Sequence, residues 1–371
     1  MTSRERLLAA IKCQPTDRVP VSTYELVGHN SHAFENKEPS YKSLMDYIRE
    51  KTDCVCMWDM SSNNIAAQSS YPVPIGTKTV RGTNYTDTFQ TMHTPKGELT
   101  SARRVYDNLY TTWTTEHWCK SIEDVDKIMS IPYEPVTYDA SDFARIKAEV
   151  GDNGIIMSSV CDPSDCVMFL HEFGESMVWA MTETEHFESV IEEMHRRNMI
   201  NLENLLKTQV VDLYRICGME TVTPPYLPPS FFSRFVAPYL KEMTDLIHSY
   251  GGLVRLHSHG KIDMVLDDML ATGADSTDPC EAPPDGDISL KQLKERVQGR
   301  MCLFGNLQLK LLEAASPDEV RNTVSRCMED AKKGGGYVIM PTAAPINVPL
   351  SPKTEENYRV FIDTALESGV Y

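Results

Sequence analysis

Short apolar, β-branched runs alternate along this chain with stretches whose apolar residues recur at helical spacing. The runs fall at 18-24, 53-58, 154-159, 211-217, 252-257, 274-277, 301-304 and 336-340. Eight is the number of parallel strands that closes a barrel. From 205 onward the alternation is regular, with helices expected near 230-250, 261-271, 287-296, 317-332 and 354-368. Ser316-Pro317-Asp318-Glu319 supplies the N-cap, the proline at the first helical position and the acidic first turn that start a helix. The opening MTSRERLLAAIKCQPTDRVPV reads as an amphipathic helix followed by a strand.

The stretch 76-120 breaks the pattern. It is rich in threonine, with glycine and proline where turns would fall, and reads as an antiparallel excursion inserted over the barrel mouth. No internal repeat or low-complexity linker divides the chain. The expected architecture is therefore α/β: a (β/α)8 TIM barrel filling 1-371 as a single domain, with an antiparallel β insertion near 76-120. A second folded domain is the weaker alternative.

Composition narrows the function classes. With 371 residues, 41% hydrophobic and 24% charged, the chain can bury a large core. No apolar run approaches the roughly 20 residues that span a bilayer, and the start lacks a secretory signal, so a cytoplasmic protein with no membrane role is expected. Ten cysteines without a C-x-x-C pair fit reduced thiols better than a disulfide framework. A net charge of -17 argues against nucleic acid, whose phosphates demand a basic surface. The oligomeric state is not legible, and a homodimer stays open.

The strongest local signal is LVRLHSHGKI. His257 and His259 stand two apart at the end of an expected strand, so alternation points both side chains the same way. ADSTDPCEAPPDGD ends the next expected strand and brings Glu281 beside them, since adjacent strands lie about 5 Å apart. Two imidazoles and a carboxylate with an open position suit Zn2+ or Fe2+ acting as a Lewis acid. The plainer alternative is that the histidines only hydrogen-bond substrate or water.

Other polar residues fall where strands should end, which is where barrel catalysis is found. They are Glu25 in STYELVG, Asp59 in MWDMSSN, Cys161 and Asp162 in SSVCDPSD, Glu220 in ICGMETVTPP, and Asn306 in LFGNLQL. Glu25, Asp59 and Asn306 are candidate catalytic groups; Cys161 and Glu220 are candidate substrate contacts. The alternative for each is a loop cap or a structural hydrogen bond. Cys161 and Cys280 are also conceivable ligands, although a lone cysteine is more often a small buried hydrophobe. In TVTPPYLPPSFFSRF the prolines fix a loop, and Tyr226 and Phe231, with Trp58 elsewhere, are candidates to floor a pocket for an apolar or aromatic substrate; core packing is the alternative. GGGY at 334-337 precedes a strand instead of opening a helix, so it reads as a helix stop and not a phosphate loop.

Four segments, RERLLAAIKCQPTDRVPV, RLHSHGKIDMVLDDMLATGADSTDPCE, GDISLKQLKERVQGRMCLFGNL and GGGYVIMPTAAPINVPLSPKTEENY, together resemble the uroporphyrinogen decarboxylase superfamily. The likeness leans to its corrinoid-dependent methyltransferase-like branch, which is related to methylcobalamin:coenzyme M methyltransferase and to the catalytic domain of cobalamin-independent methionine synthase. The decarboxylase branch is marked by an arginine-rich segment after the first strand; here that place reads VSTYELVGHN, without arginine. The methyltransferase branches carry zinc on His-x-Cys after one strand, in the methionine synthase case a Glu after the next, and a Cys near the last.

By this resemblance His257, His259 and Glu281 are the metal ligands, with His259 in the cysteine's place. Glu281 follows His259 by 22 residues, the offset the methionine synthase pattern leads one to expect. Thr342 and Ala343 stand where the late cysteine should fall, and Thr342 becomes a substrate contact. A site poorer in sulfur favours an oxygen ligand. The resemblance thus implies an O-demethylating methyltransferase: a divalent metal, Zn2+ or another such as Fe2+, holds a small methoxylated substrate. The methyl group passes to a corrinoid carried by a partner protein, since no corrinoid-binding module is visible here. The competing expectations are a lyase or decarboxylase acting on a non-porphyrin carboxylic acid, and a noncatalytic corrinoid or tetrapyrrole binding protein.

Overall fold

The computed structural model describes residues 1–371. Seven parallel strands, Cys54–Met57, Gly154–Cys161, Leu213–Cys217, Leu253–His257, Ser276–Asp278, Cys302–Leu307 and Tyr337–Pro341, form one curled sheet in chain order, so each strand pairs with the next. The expected first strand, 18-24, is not a regular one. Pro20 has no N–H to give, and the Val21 N–H is taken by the buried Asp53 carboxylate at 2.9 Å. Three backbone bonds remain: Ser22 N to Ile339 O, Ile339 N to Pro20 O, and Asp53 N to Val21 O. They link the last strand to the first and close the barrel through an eighth, irregular member.

Alternation sorts the strand residues into layers inside the barrel. Met157, Leu213 and Leu253 are in register at the lower level; Ser159, Arg215, Arg255 and Ser276 follow two residues on; Cys161, Cys217, His257 and Asp278 form the level at the strands' C-terminal ends. The helix Ser3–Ile11 plugs the opposite end, burying Leu7, Ala10 and Ile11 against Val55, Ile155, Met157, Leu213, Phe304 and Val338. Thr2 and Glu5 form its capping box. Its Arg6 is ion-paired at 2.7 Å with Asp53, the carboxylate that holds Val21, and so fixes the plug to the closing segment.

Most expected helices form within a few residues of their expected ends. The span 230-250 is two helices, Pro229–Phe235 and Ala237–Ser249, because Val236 leaves helical geometry (φ -125°, ψ -61°) just before Ala237-Pro238. The excursion is a four-stranded antiparallel sheet, Ile75–Arg81, Tyr85–Thr94, Gly97–Tyr106 and Thr112–Glu116. Its tip docks on the loop after the last barrel strand: Tyr110 N bonds Ile346 O, and the Tyr110 ring stacks on Phe34 with centroids 3.7 Å apart. No helix is long and apolar enough to cross a membrane.

Candidate functional site

The chemistry gathers where Leu253–His257 and Ser276–Asp278 end. His257 and Asp278 are register partners on neighbouring strands, and the Asp278 carboxylate accepts from His257 Nδ1 at 2.9 Å. That bond fixes the tautomer and leaves Nε2 without a hydrogen-bond partner. Asp278 is fully buried, and its other oxygen lies 3.0 Å from Arg255 Nε. Burial alone would favour a neutral Asp278, but Arg255 and His257 hold its pKa well below the usual carboxylate range.

His259 lies two residues on, in the loop, with its ring 4.8 Å from that of His257 and perpendicular to it. Glu281 reaches it from the next loop, with Oε1 3.3 Å from His259 Nδ1, while Glu281 Oε2 accepts from the Gly260 N–H at 2.8 Å. The loop carrying Glu281 is tight because Gly286 has no side chain: a Cβ there would sit 1.9 Å from Glu281 O. Burial works against the His259 imidazolium, yet the Glu281 carboxylate more than offsets it, and the net shift is upward. Burial likewise opposes the Glu281 anion, and His259 with the Gly260 N–H brings its pKa below the ordinary value.

His259 and Glu281 open on a cavity of 430 Å³ lined also by Glu220, Tyr226, Gln308, Lys310 and Thr342, with His257 behind His259. Gln308 Oε1 accepts from the Thr342 hydroxyl at 3.3 Å, and its Nε2 is buried with no partner. Glu220 Oε2 accepts from Gly218 N. Tyr226 is half exposed, its ring edge-on to Phe173. Lys310 is paired with Asp285 at the rim.

Of the residues singled out in the sequence, the structure thus brings together His257, His259, Glu281, Glu220, Tyr226 and Thr342. It places eight elsewhere. Asn306 is buried away from this cavity, donating to Cys280 O at 2.9 Å and accepting from Cys327 Sγ, and it lines a separate 680 Å³ cavity against the outer helices. Asp59 accepts from Ser158 Oγ and Ser159 N, and with Cys161 lines another pocket of 270 Å³. Glu25 is exposed at the rim, 3.5 Å from Arg215. The Cys161 thiol, hydrogen-bonded to Cys217 and then raised further by burial, is pushed up and held protonated. Asp162 caps the helix Pro163–Met168, and burial raises it to about 8. Trp58 and Phe231 pack against Phe143 and Phe235, and Cys280 is buried. The antiparallel sheet, expected over the barrel mouth, contributes no residue to the 430 Å³ cavity.

Asp278, Arg255, Arg215 and Gln308 were not among the sequence candidates. Their signal was present: LVRLH and LYRIC each carry an arginine in mid-strand, where an apolar interior has no use for charge unless a partner waits for it.

No group of three or more His, Cys, Asp and Glu side chains is arranged to hold a metal ion. What the site does offer is the right donor types with their support. His259 and Glu281 already stand side by side, and His257 presents a free Nε2 with a carboxylate behind its other nitrogen, the outer contact that metal-binding histidines have. The residues therefore fit a divalent ion in chemistry, without forming a closed cage.

Residues 113–367 match the family model described as uroporphyrinogen decarboxylase (URO-D). No curated protein sequence matches the chain. Among solved structures, a methyltransferase from Methanosarcina mazei superposes with a TM-score of 0.63 at 17% identity, over 99% of this chain and 99% of that one. A D-psicose 3-epimerase from Clostridium cellulolyticum H10 matches over 62% of this chain and 83% of its own, at 9% identity and a TM-score of 0.37.

Proposed function

Since the chain belongs to the uroporphyrinogen decarboxylase (URO-D) family, we propose that it is a methyltransferase of that fold, moving the methyl group of a small methoxylated molecule to a corrinoid on a partner protein. The observation that carries this reading is the corner made by His259 and Glu281 over the 430 Å³ cavity, with His257 packed against His259. The fold it shares with the Methanosarcina protein over nearly the whole chain supports it. The cavity volume lies within the roughly 300–1,000 Å³ of small-molecule sites.

A divalent ion held by His257 Nε2, His259 and Glu281 would supply Lewis acidity toward the ether oxygen. The chain's own residues prepare the place. Asp278 keeps the His257 tautomer and ring direction; the Gly260 N–H anchors Glu281; Gln308 Nε2 and the Thr342 hydroxyl stand ready to hydrogen-bond the donor's polar atoms. Tyr226 offers an apolar wall at the entrance. The test is direct. Mixed with a reduced corrinoid protein and a panel of methoxylated compounds, the chain is expected to convert the cob(I)alamin spectrum to that of methylcobalamin. If every methoxylated candidate stays intact while the metal site is full, the lyase or decarboxylase reading on a non-porphyrin acid takes its place.

Porphyrinogen itself is expected to be left unchanged. A ligand with many carboxylates needs several fixed cations, and the segment STYELVG brings none. Anaerobic incubation followed by chromatography checks this, and a decarboxylated product formed at an enzymatic rate would contradict it.

A further inference from the structure

The barrel interior is not charge-balanced. Arg255 has Asp278 at 3.0 Å, and both are fully buried. Arg215, its register neighbour, has no such counter-ion. The carboxylate it pairs with is Glu25, 3.5 Å away, 44% exposed and in open contact with solvent. Arg215 Nη1 also donates to the Tyr24 hydroxyl at 3.2 Å, while its Nε is buried with no partner. On the adjacent strand, in register with Arg215, the Ser159 hydroxyl is likewise buried with no partner. Burial disfavours the guanidinium's charge, but Tyr24 and Asp278 more than compensate, so Arg215 stays a cation.

A buried guanidinium N–H and a buried hydroxyl that lack hydrogen-bond partners cost stability, and such groups are kept where something else completes them. Here the two unmatched groups are neighbours on one layer, below the level of His257, with a tyrosine hydroxyl at hand. Guanidinium, serine hydroxyl and tyrosine hydroxyl form a set of donors around a single fixed positive charge. That set matches a planar monoanion with two oxygens, which an arginine fork binds through parallel N–H bonds.

We propose that Arg215, with the hydroxyls of Ser159 and Tyr24, binds a carboxylate of the small-molecule substrate, whose other end lies toward His257 and His259. The proposal gives the methyl donor of the preceding section an acid group, and rests on that reading only for the methoxy end. The segment VSTYELVGHN has no arginine of its own; the fold supplies it with one from the fourth barrel segment.

The experiment measures equilibrium binding to the full chain, without any methyl acceptor, of matched pairs: 4-methoxybenzoate against 4-methoxybenzamide, and methoxyacetate against methoxyacetamide. In the wild type at least one acid is expected to bind about tenfold or more tightly than its amide. Arg215→Gln should abolish the preference, and Arg215→Lys should keep part of it. If Arg215→Gln fails to fold, Ser159→Ala and Tyr24→Phe are each expected to weaken acid binding severalfold. An acid preference below about threefold for both pairs, or one that survives loss of the guanidinium or of both hydroxyls, overturns the proposal, the unmatched donors being then satisfied by water. The two readings fail separately. Methyl transfer from neutral ethers with no acid preference removes the carboxylate subsite and keeps the reaction, and an acid preference without methyl transfer does the reverse.

Discussion

Asp278→Ala is expected to destabilise the protein by about 3–5 kcal/mol, the usual cost of breaking a buried ion pair by removing one partner. The fully buried Arg255 would be left with no carboxylate and His257 Nδ1 with no acceptor. Equilibrium urea unfolding at neutral pH, with the slope unchanged, measures the loss. The pH dependence has a definite sign. Asp278 titrates lower in the folded protein than in the unfolded chain, so its contribution is fully present above the unfolded value of about 3.9 and fades as pH falls through the folded one. The gap between wild type and variant should therefore shrink in acid below about pH 4. A neutral-pH loss under about 1 kcal/mol would mean that the Arg255–Asp278–His257 group is not the electrostatic centre of the barrel.

The second large effect concerns metal. Purified protein is expected to carry about one divalent ion per chain, and His259→Ala or Glu281→Ala to lose most of it, because each removes a donor that already faces the cavity. Asp278→Asn should weaken binding about 10–100-fold through His257 alone, as loss of an outer contact does. Elemental analysis after dialysis reads all three. Stoichiometric metal retained in the His257→Ala/His259→Ala double variant would exclude these histidines as ligands.

The barrel was legible in the sequence because its strands are apolar runs set among helical periodicity, and the signal from His257, His259 and Glu281 needed only alternation and the neighbouring strand. What escaped were features decided by contacts distant along the chain. The segment 18-24 reads as a strand by composition, yet Asp53 takes one of its backbone donors. Asn306 sits at a strand end like the others, but bonds to Cys280 O and Cys327 turn it outward. Asp278 could have been found by following alternation from Arg255 and His257 to the next strand, where a buried inward arginine calls for an inward acid. Arg215 could not have been tied to Tyr24 without the closed barrel, since 191 residues separate them.

The plug formed by Ser3–Ile11 has a kinetic consequence. With Leu7, Ala10 and Ile11 filling the base, the way in at that end is closed, and the doorway left to the site is the mouth above His259. Under the proposed reaction a small donor and a macromolecular acceptor share that doorway. The donor must therefore load first, and the demethylated product can leave only after the acceptor has undocked. Turnover then follows a compulsory order, last in and first out, and an excess of unmethylated acceptor slows the enzyme by standing in the doorway before the donor arrives.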